Sequence, residues 1–287
     1  MRRVLREDLT RICAYWGVAS LLLAVIVPGC TGQITGEPTK LVEPTTIAQP
    51  VSLTPTRTPT VAPSPTRTAT PSPTPQRPTP TPAPPPLPPL ITAGRPETGV
   101  VALTFDQGVK GPGETPRVLD ILREARASST FFVIGVWAEN NLDLLRRMVA
   151  EGHELANHTY DHPDLRQISD QQIAEQLEHT ERIVQQAVGE STKPYMRPPS
   201  SAYDDRVLAA VNRLGYTMVC WSLDSTDWRA ESTPASVVEW VVGKAKPGDI
   251  IVFHGYSPKT AAALPDIVRG LKQKGYRLGT VSQVLGR

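Results

Sequence analysis

Acids, imidazoles and one arginine stand along this sequence at points where apolar runs stop. Residues 100–105 form such a run, and it ends on Asp106, followed by Gln107 and Gly108. His158 and His162 follow another in ANHTYDHPDL, and Arg197 closes the run in PYMRPP. Asp224 and Asp227 lie in DSTDW, and His254 ends DIIVFH. A carboxylate can take a proton, an imidazole can give one or hold a divalent metal, and an arginine keeps a neighbouring acid ionised. The spacing of four between His158 and His162 puts two imidazoles on one side of a helical turn. Alone, that pair would be ordinary structural or surface histidine. Of only five histidines, however, three fall at the ends of apolar runs, and the company of Asp106, Arg197 and Asp227 favours metal ligation. His153, which leads into an apolar run, and His179, on a charged stretch, read as structural. The sequon at Asn157 reads as incidental, and Cys220 reads as a buried strand residue.

Such residues need elements to bring them together. Seven apolar runs look like buried strands: VVALTF, STFFVIG, HELAN, PYMRPP, TMVCWSLD, DIIVFH and YRLGTV. Between them lie helical patterns at about residues 115–127, 141–152, 169–189, 204–216, 233–246 and 263–275. Pro116 suits a first helical turn, and Ser169 with Gln172 forms a capping box. Ile173, Leu177, Val184 and Val188 fall on one helical face. Strand and helix in regular alternation predict a parallel α/β domain, open or closed as a barrel. In such folds the loops at the carboxyl ends of the strands carry function, and that is where the acids and imidazoles fall.

The whole chain sets the context. Its 287 residues carry a net charge of +2, which points away from nucleic acid as a partner. Arg2, Arg3, Arg6 and Arg11 precede the apolar stretch AYWGVASLLLAVIV, which runs into VPGC at Cys30. An h-region of this length after a basic start is an export signal, and it leaves the remainder outside the cytoplasm. Residues 1–30 are then either a signal peptide with a lipobox, in which Cys30 is lipidated, or an uncleaved signal anchor. Residues 31–94 are rich in threonine and proline and are expected to form an extended, disordered stalk. At about 3.1 Å per residue, roughly 60 residues reach on the order of 190 Å. Residues 95–287 are expected to form one folded domain, acting as a monomer.

The motifs resemble those of the polysaccharide deacetylase family, the NodB-homology domain of carbohydrate esterase family four. TFDQG is similar to the family's TFDDG, HTYDH to HTxxH, RPPSS to RPPYG, DSTDW to DxxDW and IVFHG to the terminal LLH motif, in the family's order. The resemblance implies a distorted (β/α)7 barrel of parallel strands. It implies one divalent metal of the zinc, cobalt or manganese class, held by His158 and His162. Asp106 would be the general base with Arg197 as its partner, and His254 the general acid oriented by Asp227. Trp228 would line the sugar pocket, and the Ser200 backbone N–H would serve the oxyanion hole. Two positions depart from the family. Gln107 replaces the acid that is its third metal ligand, and Ser200-Ser201 replaces Tyr-Gly. A glutamine carbonyl is a neutral and weaker ligand. The implied activity is removal of N-acetyl groups from an envelope amino-sugar polymer such as peptidoglycan. The alternatives are a glycan-binding module without turnover, or a hydrolase of a non-sugar amide or an O-acetyl ester.

Overall fold

The computed structural model describes residues 89–287; the export signal, Cys30 and the expected stalk as far as residue 88 lie outside the described residues. The described strands are β1 (Leu90–Ile91), β2 (Val100–Asp106), β3 (Thr130–Val133), β4 (Glu154–Asn157), β5 (Tyr195–Met196), β6 (Thr217–Val219), β7 (Leu223–Asp224), β8 (Ile250–His254) and β9 (Arg277–Gly279). The α-helices are α1 (Thr115–Ala125), α2 (Gly135–Asn140), α3 (Leu142–Ala150), α4 (Asp170–Val188), α5 (Asp205–Arg213), α6 (Pro234–Lys244), α7 (Pro258–Gln273) and α8 (Val281–Val284). The strands form one sheet in the order β1-β6-β5-β4-β3-β2-β8-β7, with β9 paired to the start of β2, and every pairing is parallel. The fold is the distorted (β/α)7 barrel, left open between its edge strands.

Strand periodicity explains why the chemistry gathers inside. Successive side chains of a strand point to opposite faces of the sheet. In β2, Val101, Leu103 and Phe105 pack in the larger core under the outer helices, where Phe105 stacks between Phe131 and Phe253 at 5.2 and 5.5 Å. Val100 and Ala102 join Phe132, Ala156, Tyr195 and Ile250 in a second core. Continuing that second set two residues at a time leads to Asp106, His158, Arg197 and His254. The same alternation that fills the barrel interior therefore aims these four at its open end. All seven residues of β2 are buried, as expected for a strand covered on both faces.

Local signals place the helices. Ser169 and Gln172 form the reciprocal capping box that starts α4, and Gly189 ends it in the left-handed conformation at φ 74°. Ile173, Leu177 and Val184 are buried along α4 as the periodicity predicts, and Val188 is half-buried. Three elements differ from the pattern. The run at 217–224 is not one strand: β6 pairs with β5 and β1, whereas β7 pairs with β8 at the other edge. Residues 220–222 carry the chain between those edges, so the apolar run is continuous although the strand is not. Helix α7 begins at Pro258, not near residue 263, because Ser257 caps it and Pro258 suits the first turn; Pro265 lies inside it. Finally, Leu90 and Ile91 pair with Met218 and Val219, so the sheet takes in two residues that the composition had placed in the stalk. Among the described residues, no helix is long and apolar enough to cross a membrane.

Candidate active site

Asp106 is the last residue of β2 and lies in register with His254, the last residue of β8. Parallel neighbours are about 4.8 Å apart, so this register alone brings a carboxylate and an imidazole to one place. Asp106 is buried, and its Oδ1 accepts a hydrogen bond from Arg197 Nη1 at 2.6 Å. Burial pushes its pKa up, but Arg197, His158 and His254 outweigh burial and hold it below the ordinary 3.8. The group is ionised at neutral pH.

Arg197 is itself fully buried, which is costly unless every donor is used. Its Nε and Nη2 donate to the carbonyls of Val219 and Cys220, each at 3.2 Å, and the guanidinium lies 3.9 Å from the Phe132 ring centre. The carbonyls come from the point where the chain leaves β6 for β7, so the broken strand is what supplies them. Cys220 is buried as the sequence predicts, and burial pushes its thiol up to about 11.

His254 is the mirror of this arrangement. Its ring Nδ1 bonds to Asp227 Oδ1 at 2.7 Å, and its backbone N–H donates to Asp227 Oδ2 at 2.8 Å. The Thr260 hydroxyl, in the first turn of α7, also donates to Asp227 Oδ2. Burial lowers the His254 pKa, but the bond and charge of Asp227 reverse this and raise it above 6.5. Asp227 shows the complementary effect: burial raises it, and His254 and Thr260 bring it below 3.8. With Nδ1 committed to Asp227, Nε2 is the atom left to face a substrate. Thr260 is a residue that the sequence reading missed; its only signal is a hydroxyl at a helix start, which serves a cap equally well.

The two remaining histidines lie at the same end. His158 Nδ1 bonds to the carbonyl of Arg197 at 2.8 Å, and its Nε2 is 3.8 Å from Asp106 Oδ2. Burial depresses the His158 pKa to about 4, so the ring is neutral; Nδ1–H donates to the carbonyl and Nε2 keeps a lone pair. His162 is half-buried, its pKa also lowered chiefly by burial, and its ring centre is 5.0 Å from that of His158. The helical turn expected from their spacing is absent. Residues 158–162 form an irregular loop in which Thr159 and His162 both have φ of 67°. The reason is that the loop's backbone groups bond outward: Gly135 N–H and Val136 N–H, at the start of α2, donate to the carbonyls of Thr159 and Tyr160 at 2.9 Å each. The imidazoles meet because of the loop's folded shape.

Two neutral imidazoles with lone pairs beside an ionised carboxylate are a donor set that suits a divalent cation of the zinc class. No third His, Cys, Asp or Glu completes a metal-holding group among the described residues. Gln107 stands where such an acid would be, and it is buried with its Oε1 accepting from the Thr115 hydroxyl at 2.7 Å. Its Nε2 has no partner, and the amide lies over Gly255, where a Cβ would approach within 2.5 Å of Nε2. The chain thus offers two imidazole ligands and a fitted but neutral amide.

The rim is aromatic. Trp228 is 49% exposed, its indole N–H shared between the two carboxylate oxygens of Asp224 at 3.3 and 3.2 Å. Tyr256, also missed in the sequence, is 45% exposed and its ring centre is 5.4 Å from that of His254. Gly108 and Gly113 let the neighbouring loop close on it, since a Cβ at either would meet Tyr256 within 2.8 Å. Ser200 is exposed, and it and Ser201 adopt φ of 52° and 53°. The second of these is where the family pattern has glycine, which takes this conformation without a Cβ penalty. Asn157 is fully buried, which closes its sequon in the folded protein, and His153 is buried with its Nδ1 accepting from Ser129 N–H at 3.1 Å.

Comparison with known proteins decides the family. A profile described as polysaccharide deacetylase matches residues 93–219. The peptidoglycan-N-acetylmuramic acid deacetylase PdaA of Bacillus subtilis is 34% identical over 194 residues, covering 67% of this chain and 73% of that protein. The chain belongs to the polysaccharide deacetylase family. The deacetylases among its members are hydrolases of carbon–nitrogen bonds other than peptide bonds, and this chain is of that class by descent. A peptidoglycan-N-acetylglucosamine deacetylase of Bacillus cereus is 37% identical over 191 residues, covering 65% of this chain and 88% of that protein. Among solved structures, a carbohydrate esterase family four pseudoenzyme of Bacillus anthracis superposes with a TM-score of 0.64 at 30% identity, covering 69% of this chain and 70% of that one. A mutant of that pseudoenzyme is described as having restored enzymatic activity.

Proposed function

We propose that this protein is a metal-dependent deacetylase that removes N-acetyl groups from the amino sugars of an envelope polysaccharide, with peptidoglycan the favoured substrate. The observation that carries the reading is the pairing of two complete dyads at one end of the barrel. Asp106 is held ionised by Arg197, and His254 is biased toward its protonated form by Asp227, on strands in register. A divalent ion held by His158 and His162 would supply Lewis acidity to the acetamide carbonyl and the attacking water. Asp106 takes the proton of that water as its oxygen bonds to the carbonyl carbon. His254 gives its Nε2 proton to the nitrogen as the carbon–nitrogen bond breaks, leaving acetate and a free amine. The Ser200 backbone N–H would serve the developing oxyanion. Trp228 and Tyr256 offer apolar faces to the sugar rings.

A second reading has an observation of its own: with Gln107 bound to Thr115 and two imidazoles as ligands, the domain would bind glycan without turning it over. Full-length protein in detergent, incubated with N-acetylglucosamine oligomers or peptidoglycan with and without zinc, separates the two. Zinc-dependent release of acetate supports the enzyme, and binding without acetate supports the module. The location proposed is extracytoplasmic, tethered to a bacterial membrane through a lipid on Cys30 or through an uncleaved anchor. Metabolic labelling with a lipid precursor tests this: Cys30→Ser should abolish a label that the wild type carries. An unlabelled wild type that retains residues 1–29 establishes the anchor instead.

A further inference from the structure

The loop that carries His158 and His162 is shaped from behind, by groups far from the reacting atoms. Asn157, the last residue of β4, is fully buried and uses both ends of its side-chain amide. Its Oδ1 accepts the Thr159 N–H at 2.9 Å. Its Nδ2 faces the Leu177 carbonyl at 2.9 Å and the hydroxyls of Thr192 and Tyr216 at 3.1 Å each. Behind those hydroxyls is Glu181, in the middle of α4 and 9% exposed. Its carboxylate accepts the Thr192 N–H at 2.8 Å, the hydroxyls of Thr192 and Ser191 at 2.5 Å each, and the Tyr216 hydroxyl at 3.3 Å.

These bonds have a direction. A carboxylate can only accept, so the Thr192 hydroxyl must point its hydrogen at Glu181. That leaves Thr192 with lone pairs alone for Asn157, so it joins the Leu177 carbonyl in requiring the amide's NH2 on this side. The amide carbonyl is thereby turned toward Thr159. The bond it makes there compensates a β-branched residue for a left-handed backbone, which is unfavourable without such support. Thr159 passes the constraint on, because its Oγ1 accepts the backbone N–H of His162 at 3.2 Å.

We propose that Glu181 and Asn157 form a positioning relay, in which the buried carboxylate holds the Thr192 hydroxyl as an acceptor for the Asn157 amide, reinforcing the orientation that the Leu177 carbonyl and the Thr159 N–H also require, and through it the shape of the loop that presents His158 and His162. Neither residue touches the reacting groups; both act through the loop. The proposal rests on the metal-site reading for its effect on binding, but the effect on the loop stands apart from it.

The test compares Glu181→Gln and Asn157→Asp with Leu177→Val, which thins the core beside the relay and leaves its hydrogen bonds alone. Glu181→Gln puts an NH2 where a pure acceptor stood and lets the Thr192 hydroxyl turn its hydrogen toward the Asn157 NH2, which sets donor against donor and loosens the amide. Asn157→Asp keeps an oxygen for Thr159 but removes the donors to Thr192 and Tyr216. Measurements on the full-length protein in detergent are zinc affinity by calorimetry, hydrogen exchange of the segment spanning Thr159 in metal-free protein, melting temperature, and turnover across a zinc series. Both relay variants should bind zinc about tenfold or more weakly, the usual effect of losing an outer partner of a metal ligand, and exchange faster at Thr159. Turnover should return toward wild type at saturating zinc, since the acid and base are untouched. Leu177→Val should lower the melting temperature without changing either zinc affinity or exchange. Relay variants that fold and keep wild-type zinc affinity and wild-type exchange overturn the proposal, however far their melting temperature falls. If the wild type binds no zinc, the deacetylase reading fails, and the relay is judged on the exchange at Thr159. If Glu181→Gln does not fold, Asn157→Asp decides alone.

Discussion

Asp106 and His254 are held by partners that push them in opposite directions, Arg197 keeping one deprotonated and Asp227 strengthening the other's hold on a proton. Each is therefore biased toward the state its task needs, and each should matter to rate more than to folding. Asp106→Asn and His254→Ala are expected to lower turnover about 10² or more, the usual range for a lost acid or base, and acetate release under saturating zinc measures it. A near wild-type rate in either variant would remove the mechanism. Gln107 calls for a different experiment. Replacing it with aspartate adds a negative charge beside the two imidazoles, and both Coulomb attraction and ligand type favour a dication there. Gln107→Asp should tighten zinc binding and resist chelator better than wild type. If its affinity is unchanged, the Thr115 hydroxyl is holding the new side chain away from the metal as it now holds the amide. The acids and imidazoles were legible in the sequence because each ends an apolar run. Thr115, Tyr256 and Thr260 were not, since a threonine at a helix start and a tyrosine in a loop have ordinary structural uses.

At the scale of the elements, the strands that supply chemistry were readable and the ones that define the edges were not. Buried parallel strands are continuous apolar runs, so β2, β3, β4 and β8 stand out. Periodicity cannot tell which of two edges a strand joins, and the run holding β6 and β7 looks like one because Cys220 and Trp221 between them are apolar too. Nor does it find β1, whose two residues sit in a proline-rich context and gain their order from pairing with β6. The loop of His158 and His162 shows the same limit: a spacing of four suits a helical turn, and only the outward bonds to α2 and Asn157 exclude one. Ile91 tests the edge. It is 3% exposed in the inner core, so Ile91→Ala should destabilise the domain by about 2 kcal/mol, the low end for a buried isoleucine because an edge strand can relax. Urea unfolding measures it. A loss within a few tenths of a kcal/mol would mean that β1 is decoration on the sheet, and that the domain starts where the composition changes.

For the molecule as a whole, the buried histidines set how stability responds to pH. Burial lowers His153 and His158 from 6.5 to about 4, so an unfolded chain binds two protons below pH 6.5 that the folded one refuses until about pH 4. Where the unfolded state holds more protons, stability rises with pH, so these two rings make the metal-free protein more stable from about pH 4 to 6.5. His254 has the opposite sign. Its folded value lies above 6.5, so its contribution is complete below pH 6.5 and is lost as pH rises through that folded value. Asp106 and Asp227 have folded values below 3.8; their contributions are present above 3.8 and fade only as pH falls through the depressed values, beneath this window. His162, also lowered by burial, adds to the rise, and Glu154, raised above 4.5 by burial, works against it; with the rings dominant, the opposing slopes place maximum stability near pH 6.5. Urea midpoints of metal-free protein between pH 4.5 and 8.5 should trace that maximum, and His153→Gln should flatten its acid limb by removing one of the two protons. Zinc should steepen the same limb, because an ion on the His158 lone pair must leave before the ring can be protonated. A midpoint that falls steadily from pH 5 to pH 7 would show that neither ring is held neutral, and the lone pair on which the metal site depends would be gone with it.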